Sequence, residues 1–163
     1  MKVGVIVFPG SNCDRDMFHV LTDVFHLDTQ YFWHQTGLPT NIDAVILPGG
    51  FSYGDRLRAG VIAANSPIIN DVKKLADKGI PILGVCNGFQ ILVESNLLPG
   101  VLLKNNSLNF MCEWTNLIVK NNKTPFTNKL ELDQRIPIPI ANGEGRYYVD
   151  KKLMSELKMN NQI

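Results

Sequence analysis

Two rhythms of apolar and polar residues run along the first part of the chain. Residues 3–8, Val-Gly-Val-Ile-Val-Phe, form a short β-branched run stopped by Pro9 and Gly10. Such a run reads as a strand buried on both faces of a parallel sheet. Asn12 offers a side-chain cap, and Met17, Val20, Leu21 and Val24 follow at helical spacing, so a helix is expected to about Phe25. Residues 31–34 and 44–47 are further strand candidates, the second closed by Pro48-Gly49-Gly50. A helix over 68–78 would bury Ile69, Val72 and Leu75, with Gly79 just past its end. Residues 82–85 then read as a strand and 88–95 as a helix. Strands interleaved with helices predict an α/β fold, an open, doubly wound and mostly parallel sheet.

The second part is less regular. Residues 116–120 and 135–140 have strand character, the latter interrupted by Pro137 and Pro139, which suit an edge position. Asp150 is placed to cap a last helix to about Lys158. No repeat, low-complexity tract or linker divides the sequence, so residues 1–163 are expected to form one domain.

Composition narrows the function classes. The hydrophobic share of 45% across 163 residues is enough for a substantial core. Sixteen Lys and Arg against fifteen Asp and Glu leave a charge of +1. That balance argues against a nucleic-acid or charged-membrane partner. No apolar run approaches the ~18–20 residues that span a bilayer. The N-terminal run is too short for a signal peptide and lacks a small-x-small cleavage site, so cytoplasmic residence is expected. Cys13, Cys86 and Cys112 have neither metal-ligand spacing nor the density of a disulfide scaffold.

Three Gly-rich turns carry the candidate chemistry: residues 9–12, 48–50 and 86–88. Each follows a predicted strand, which places all three on the rim where open parallel sheets bind ligands. Residues 84–88, Gly-Val-Cys-Asn-Gly, have the Gly-x-nucleophile-x-Gly form of a strand-to-helix elbow. A helix N-terminus behind Cys86 would favour its thiolate. The backbone N–H of Asn87 is a natural oxyanion donor, and the Gly49-Gly50 turn could supply a second. By itself the elbow suits an amidase, an esterase-like enzyme or a redox-sensing cysteine. Cys13, at the start of the first helix, is expected to pack, with contact to the same rim as the alternative, and Cys112 to lie in the core or a subunit contact. His34 ends the second strand facing the rim and is a candidate for substrate contact. His19 and His26 read as helix-surface residues, Trp33 and Trp114 as packing residues.

Residues 8–14 (Phe-Pro-Gly-Ser-Asn-Cys-Asp), 48–55 (Pro-Gly-Gly-Phe-Ser-Tyr-Gly-Asp) and 84–90 (Gly-Val-Cys-Asn-Gly-Phe-Gln) together resemble the small glutaminase subunits of bacterial phosphoribosylformylglycinamidine synthases. The resemblance continues through Leu97-Leu98-Pro99-Gly100 and Gly143-Glu144-Gly145. It implies a flavodoxin-like class I glutamine amidotransferase domain. It further implies that Cys86 attacks the side-chain amide of glutamine, forming a thioester that water resolves to glutamate after ammonia leaves. Gly49, Gly50 and Asn87 match the family's oxyanion positions, while Phe51 and Gln90 match its glutamine pocket. The implied partners are a large synthetase subunit, which would hold ATP and Mg and aminate formylglycinamide ribonucleotide, and a small bridging subunit. No cofactor is implied in this chain.

Two departures stand out. Arg56 occupies a position that is usually aromatic. The family's downstream His-Pro-Glu string has no counterpart, no histidine follows His34, and Asn142 stands at a commonly histidine position. The resemblance therefore implies a domain whose C-terminal part is missing. Two other readings stand beside an active glutaminase: an impaired fragment keeping fold and partner surface, and a Cys-elbow redox or chaperone-type protein. The extended 48–55 turn speaks against the last.

Overall fold

The computed structural model describes residues 1–163 and divides the chain into two compact units, Met1–Pro99 and Gly100–Ile163.

The first unit is built on four parallel strands: β1 (Lys2–Val7), β2 (Asp28–Trp33), β3 (Ala44–Leu47) and β4 (Ile82–Gly84). Their order is β2-β1-β3-β4. Side chains alternate across the sheet as the two-residue period requires. Ile6, Val45 and Leu47 join a core with Ala63, Ile68, Ile69, Val72, Leu75, Ile91 and Leu92. These come from helices α2 (Val61–Ala64), α3 (Ile68–Asp77) and α4 (Asn87–Glu94). Val3, Val5, Ala44 and Ile46 face the other way, onto Leu21 and Met17. Helices thus cover both faces, and the expected doubly wound parallel α/β sheet is the fold observed. The chain steps from β1 outward to β2, then returns to the far side of β1 for β3 and β4. Successive crossovers reverse direction there, which makes the carboxyl ends of β1 and β3 the switch point where ligands bind in such sheets.

The first helix departs from expectation. Helix α1 (Asp14–His19) runs into a π-helical turn over Val20–Val24, with Phe25 N–H donating to Val20 O at 3.0 Å. The wider turn breaks the 3.6-residue phase. Leu21 is buried, while Val20 and Val24 turn to solvent. Cys13, not Asn12, occupies the cap position, and its side chain makes no capping bond.

In the second unit β5 (Val101–Leu103) pairs antiparallel with β8 (Arg146–Tyr148), and β6 (Met111–Ile118) with β7 (Arg135–Asn142). Strand β6 begins well before the expected 116 because its length is set by the facing β7 ladder, which its own unalternated sequence does not reveal. Pro137 and Pro139 lie two apart in β7, so they share one orientation, and their missing N–H groups fall away from its single partner strand. Buried Asn105 ties the unit together: its Nδ2 donates to Asn109 O and Asn142 O, and its Oδ1 accepts from Gly145 N–H. Asp150 caps α5 (Lys151–Met159) as expected, accepting from Leu153 N–H at 2.7 Å. No helix is long and apolar enough to cross a membrane.

Candidate functional site

Cys86 sits between β4 and α4 with φ 50° and ψ −108°, a conformation few non-glycine residues adopt. Its two flanking glycines explain how the turn closes. A side chain on Gly88 would overlap the carbonyl oxygen of Leu47 in β3. One on Gly84 would stand 2.6 Å from Leu92 Cδ1 and 2.7 Å from Gly88 O. The absence of both lets α4 lie directly on the sheet and lifts the thiol to the rim.

Two backbone N–H groups, of Asn87 and Gly50, reach the Cys86 sulfur. The orientation of the second follows from the opposite side of its peptide. Gly49 O accepts from the N–H groups of Asn12 and Cys13, at 3.3 and 3.2 Å. Carbonyl and N–H of a trans peptide point in opposite directions, so fixing Gly49 O toward the β1 loop aims Gly50 N–H at the thiol. Ser11 and Gly50 form an antiparallel bridge, Phe51 N–H donates to Gly10 O at 3.0 Å, and Tyr53 N–H donates to Pro9 O at 2.7 Å. Gly50 has φ +137°, and a side chain there would meet Asn12 N at 2.5 Å. The loop after β3 is therefore stitched to the loop after β1 along its length.

The side chain of Asn87 locks the same loop from below. It is 1% exposed; its Oδ1 accepts from Ser52 N–H at 3.1 Å. Its Nδ2 donates to Gln90 Oε1 at 2.9 Å and to Asp55 Oδ1 at 3.4 Å. Gln90 is buried beside it, whereas Phe51 stands at the rim, 42% exposed. Cys86, Gly49, Gly50, Phe51, Asn87 and Gln90 thus come together at one end of the sheet.

The electrostatics differ from the sequence expectation. Burial pushes the Cys86 thiol above its ordinary pKa and the nearby Asp55 carboxylate adds to this, outweighing the Asn87 and Gly50 N–H groups. The residue stays open to solvent on its outer side. The influence of Asp55 was not legible beforehand, since it comes from a turn in which Tyr53, Gly54 and Asp55 all have positive φ. His34 is buried: its Nδ1 lies 3.1 Å from the Tyr53 hydroxyl, its ring stacks on Phe8, and burial pushes its pKa down. It braces the Tyr53 turn and is not presented at the rim. Cys13 does not pack inward but is exposed beside Gly49. Cys112 is exposed as well, as are Trp33 and Trp114, at 44% and 72%. His19 lies on the surface as expected, paired with Asp23 at 2.6 Å.

A doubly wound parallel sheet with a cysteine elbow and backbone donors converging on its sulfur is the arrangement of a class I glutamine amidotransferase. Comparison with known proteins agrees. The chain belongs to the CobB/CobQ-like glutamine amidotransferase family, whose domain model matches residues 1–163. Among solved structures it is similar to PurLQS from Thermotoga maritima, at 48% identity and a TM-score of 0.87, over 92% of this chain and 70% of that one. It is also similar to a glutamine amidotransferase from the same organism, at 16% identity and a TM-score of 0.61, over 93% of this chain and 64% of that one. The second likeness speaks to the fold alone. The first, together with the family match, bears out the motif-based resemblance to the glutaminase subunits of phosphoribosylformylglycinamidine synthases.

Proposed function

We propose that this chain is the glutamine amidotransferase subunit of a phosphoribosylformylglycinamidine synthase and that Cys86 is its nucleophile. The observation that carries this reading is the convergence of Gly50 and Asn87 N–H groups on a cysteine held at a strand-to-helix elbow. In the reaction, the Cys86 thiolate adds to the side-chain amide carbon of glutamine. The two N–H groups that now meet sulfur would donate to the oxyanion of the tetrahedral intermediate, where a single such donor is worth about 10²–10³ in rate. As the intermediate collapses the amide nitrogen takes up a proton, the C–N bond breaks and ammonia leaves. Water then hydrolyses the thioester to glutamate and returns the Cys86 thiol. Ammonia passes to a synthetase partner that binds ATP and formylglycinamide ribonucleotide, with a small third subunit bridging the two. Phe51 and Gln90 belong to the glutamine pocket, Phe51 at its rim and Gln90 through its bond to Asn87.

The His-Glu pair that the resemblance calls for is not among these residues, so the test reads attack by Cys86 rather than full turnover. A glutamine-mimicking electrophile should label Cys86 alone, as read by peptide mass spectrometry, and excess glutamine should slow the labelling. In the complete complex, Cys86→Ala should abolish glutamine-dependent amination and leave ammonia-dependent amination intact. Labelling at Cys13 instead, or glutamine-dependent synthesis by the variant, would overturn the assignment.

A further inference from the structure

Cys13 was expected to be a packing residue, yet it stands across a gap of one missing side chain from the nucleophile. Its Sγ lies 3.4 Å and its Cβ 3.6 Å from the point where a side chain on Gly49 would begin. The Cβ of Cys86 lies 3.5 Å from that same point. The glycine leaves the space between the two cysteines open, and both are exposed to solvent. Cys13 also senses the nucleophile, since the charge of Cys86 contributes to raising the Cys13 pKa, after burial and Asp16. The Cys13 backbone is fixed by its N–H bond to Gly49 O at 3.2 Å, so this proximity is built into the loop.

We propose that Cys13 and Cys86 form a reversible disulfide under peroxide, which makes the nucleophile a redox-modifiable site. The inference rests on Cys86 being the reactive thiol of the proposed function. In the first step the Cys86 thiolate attacks an oxygen of hydrogen peroxide; the O–O bond breaks, hydroxide leaves, and sulfur becomes a sulfenic acid. In the second, the Cys13 thiolate attacks that sulfur and expels hydroxide as the S–S bond forms. Overall two thiols lose two electrons and two protons, and one peroxide becomes two waters. A disulfide needs β-carbons roughly 3.5–4.5 Å apart. Here the two β-carbons lie 3.6 and 3.5 Å from one shared empty point, so closing the bridge requires the 12–14 turn to yield locally at its bond to Gly49 O. The bridge would cap the sulfur that must attack substrate, while protecting it from irreversible overoxidation.

The experiment uses the whole chain, hydrogen peroxide and a thiol reductant. Peroxide should consume two of the three thiols, leaving Cys112 free, and unreduced peptide mapping should yield a Cys13–Cys86 crosslink. Reductant should restore both thiols and the labelling of Cys86 by the glutamine-mimicking electrophile. In Cys13→Ser, continued peroxide should carry Cys86 to sulfinic acid, and reductant should no longer restore labelling. Gly49→Ala adds a methyl that meets no atom closer than 3.4 Å, yet it fills the gap and should suppress the crosslink in folded protein. A crosslink to Cys112 or between chains would overturn the proposal, as would full recovery of Cys13→Ser or an undiminished crosslink in Gly49→Ala. The crosslink is read without substrate. Failure of the glutamine reading would therefore show separately, as absent labelling in the reduced protein.

Discussion

At the scale of the residue, Asn87 and Asp55 act on Cys86 in opposite senses. The Asn87 N–H favours the thiolate, and its side chain holds Asp55, whose charge disfavours it. Burial is the larger influence and also favours the neutral thiol. Alkylation consumes only the thiolate. The rate of Cys86 modification by iodoacetamide should therefore keep rising at pH values beyond the ordinary thiol pKa. Asp55→Asn removes a like charge, which lowers the pKa and shifts the whole profile to lower pH; an unmoved or upward-shifted profile would contradict the assigned sign. The elbow itself was legible, because glycines two places either side of a nucleophile are a local pattern. The Asn87 side chain was not, since its partner Ser52 is 35 positions away in sequence. The helix-terminus argument for a low pKa failed for the same reason, as burial and Asp55 are imposed by the fold.

At the scale of the element, β3 and α4 are fitted backbone to backbone at Gly88. Gly88→Ala forces a methyl into the Leu47 carbonyl oxygen, an atom fixed in the sheet. We expect a loss of about 3 kcal/mol or more, or failure to fold, since overpacking of an unyielding contact exceeds the usual range. Gly54→Ala is the control: no atom lies within 4 Å, and only the strain of its φ of +65° remains, worth roughly 1–2 kcal/mol. Denaturant unfolding of the two variants separates packing from backbone strain, and equal losses would contradict this account. Strand β3 was read to the residue because Pro48 and the glycines end its apolar run sharply. The π-turn after α1 was invisible, because Val20 and Val24 keep helical spacing in sequence while the widened turn rotates them outward. Helix α3 matched because its buried Ile69, Val72 and Leu75 sit on an undistorted α-helix.

At the scale of the molecule, the candidate site lies wholly within Met1–Pro99, whose alternating strands and helices made it readable. The unit Gly100–Ile163 was harder, because a two-stranded ribbon and short paired strands leave no long periodic run. Trp114 illustrates the difference: its residue type suggests packing, yet it faces Pro139 on an open ribbon and is 72% exposed. Trp114→Ser should change stability by no more than about 0.5 kcal/mol, with the helical circular-dichroism signal retained. A loss several times larger would mean the indole is buried in the folded protein. The peptide plane between Gly49 and Gly50 has a different consequence. Its tilt is set by Asn12 and Cys13, in the loop after β1 and outside the elbow. A chimera carrying the β1 loop of a distantly similar amidotransferase could thus keep every residue of the elbow and of the 48–55 turn and still lose its second oxyanion donor. For protein engineering, the transferable module is the trio of rim loops, exchanged together or not at all.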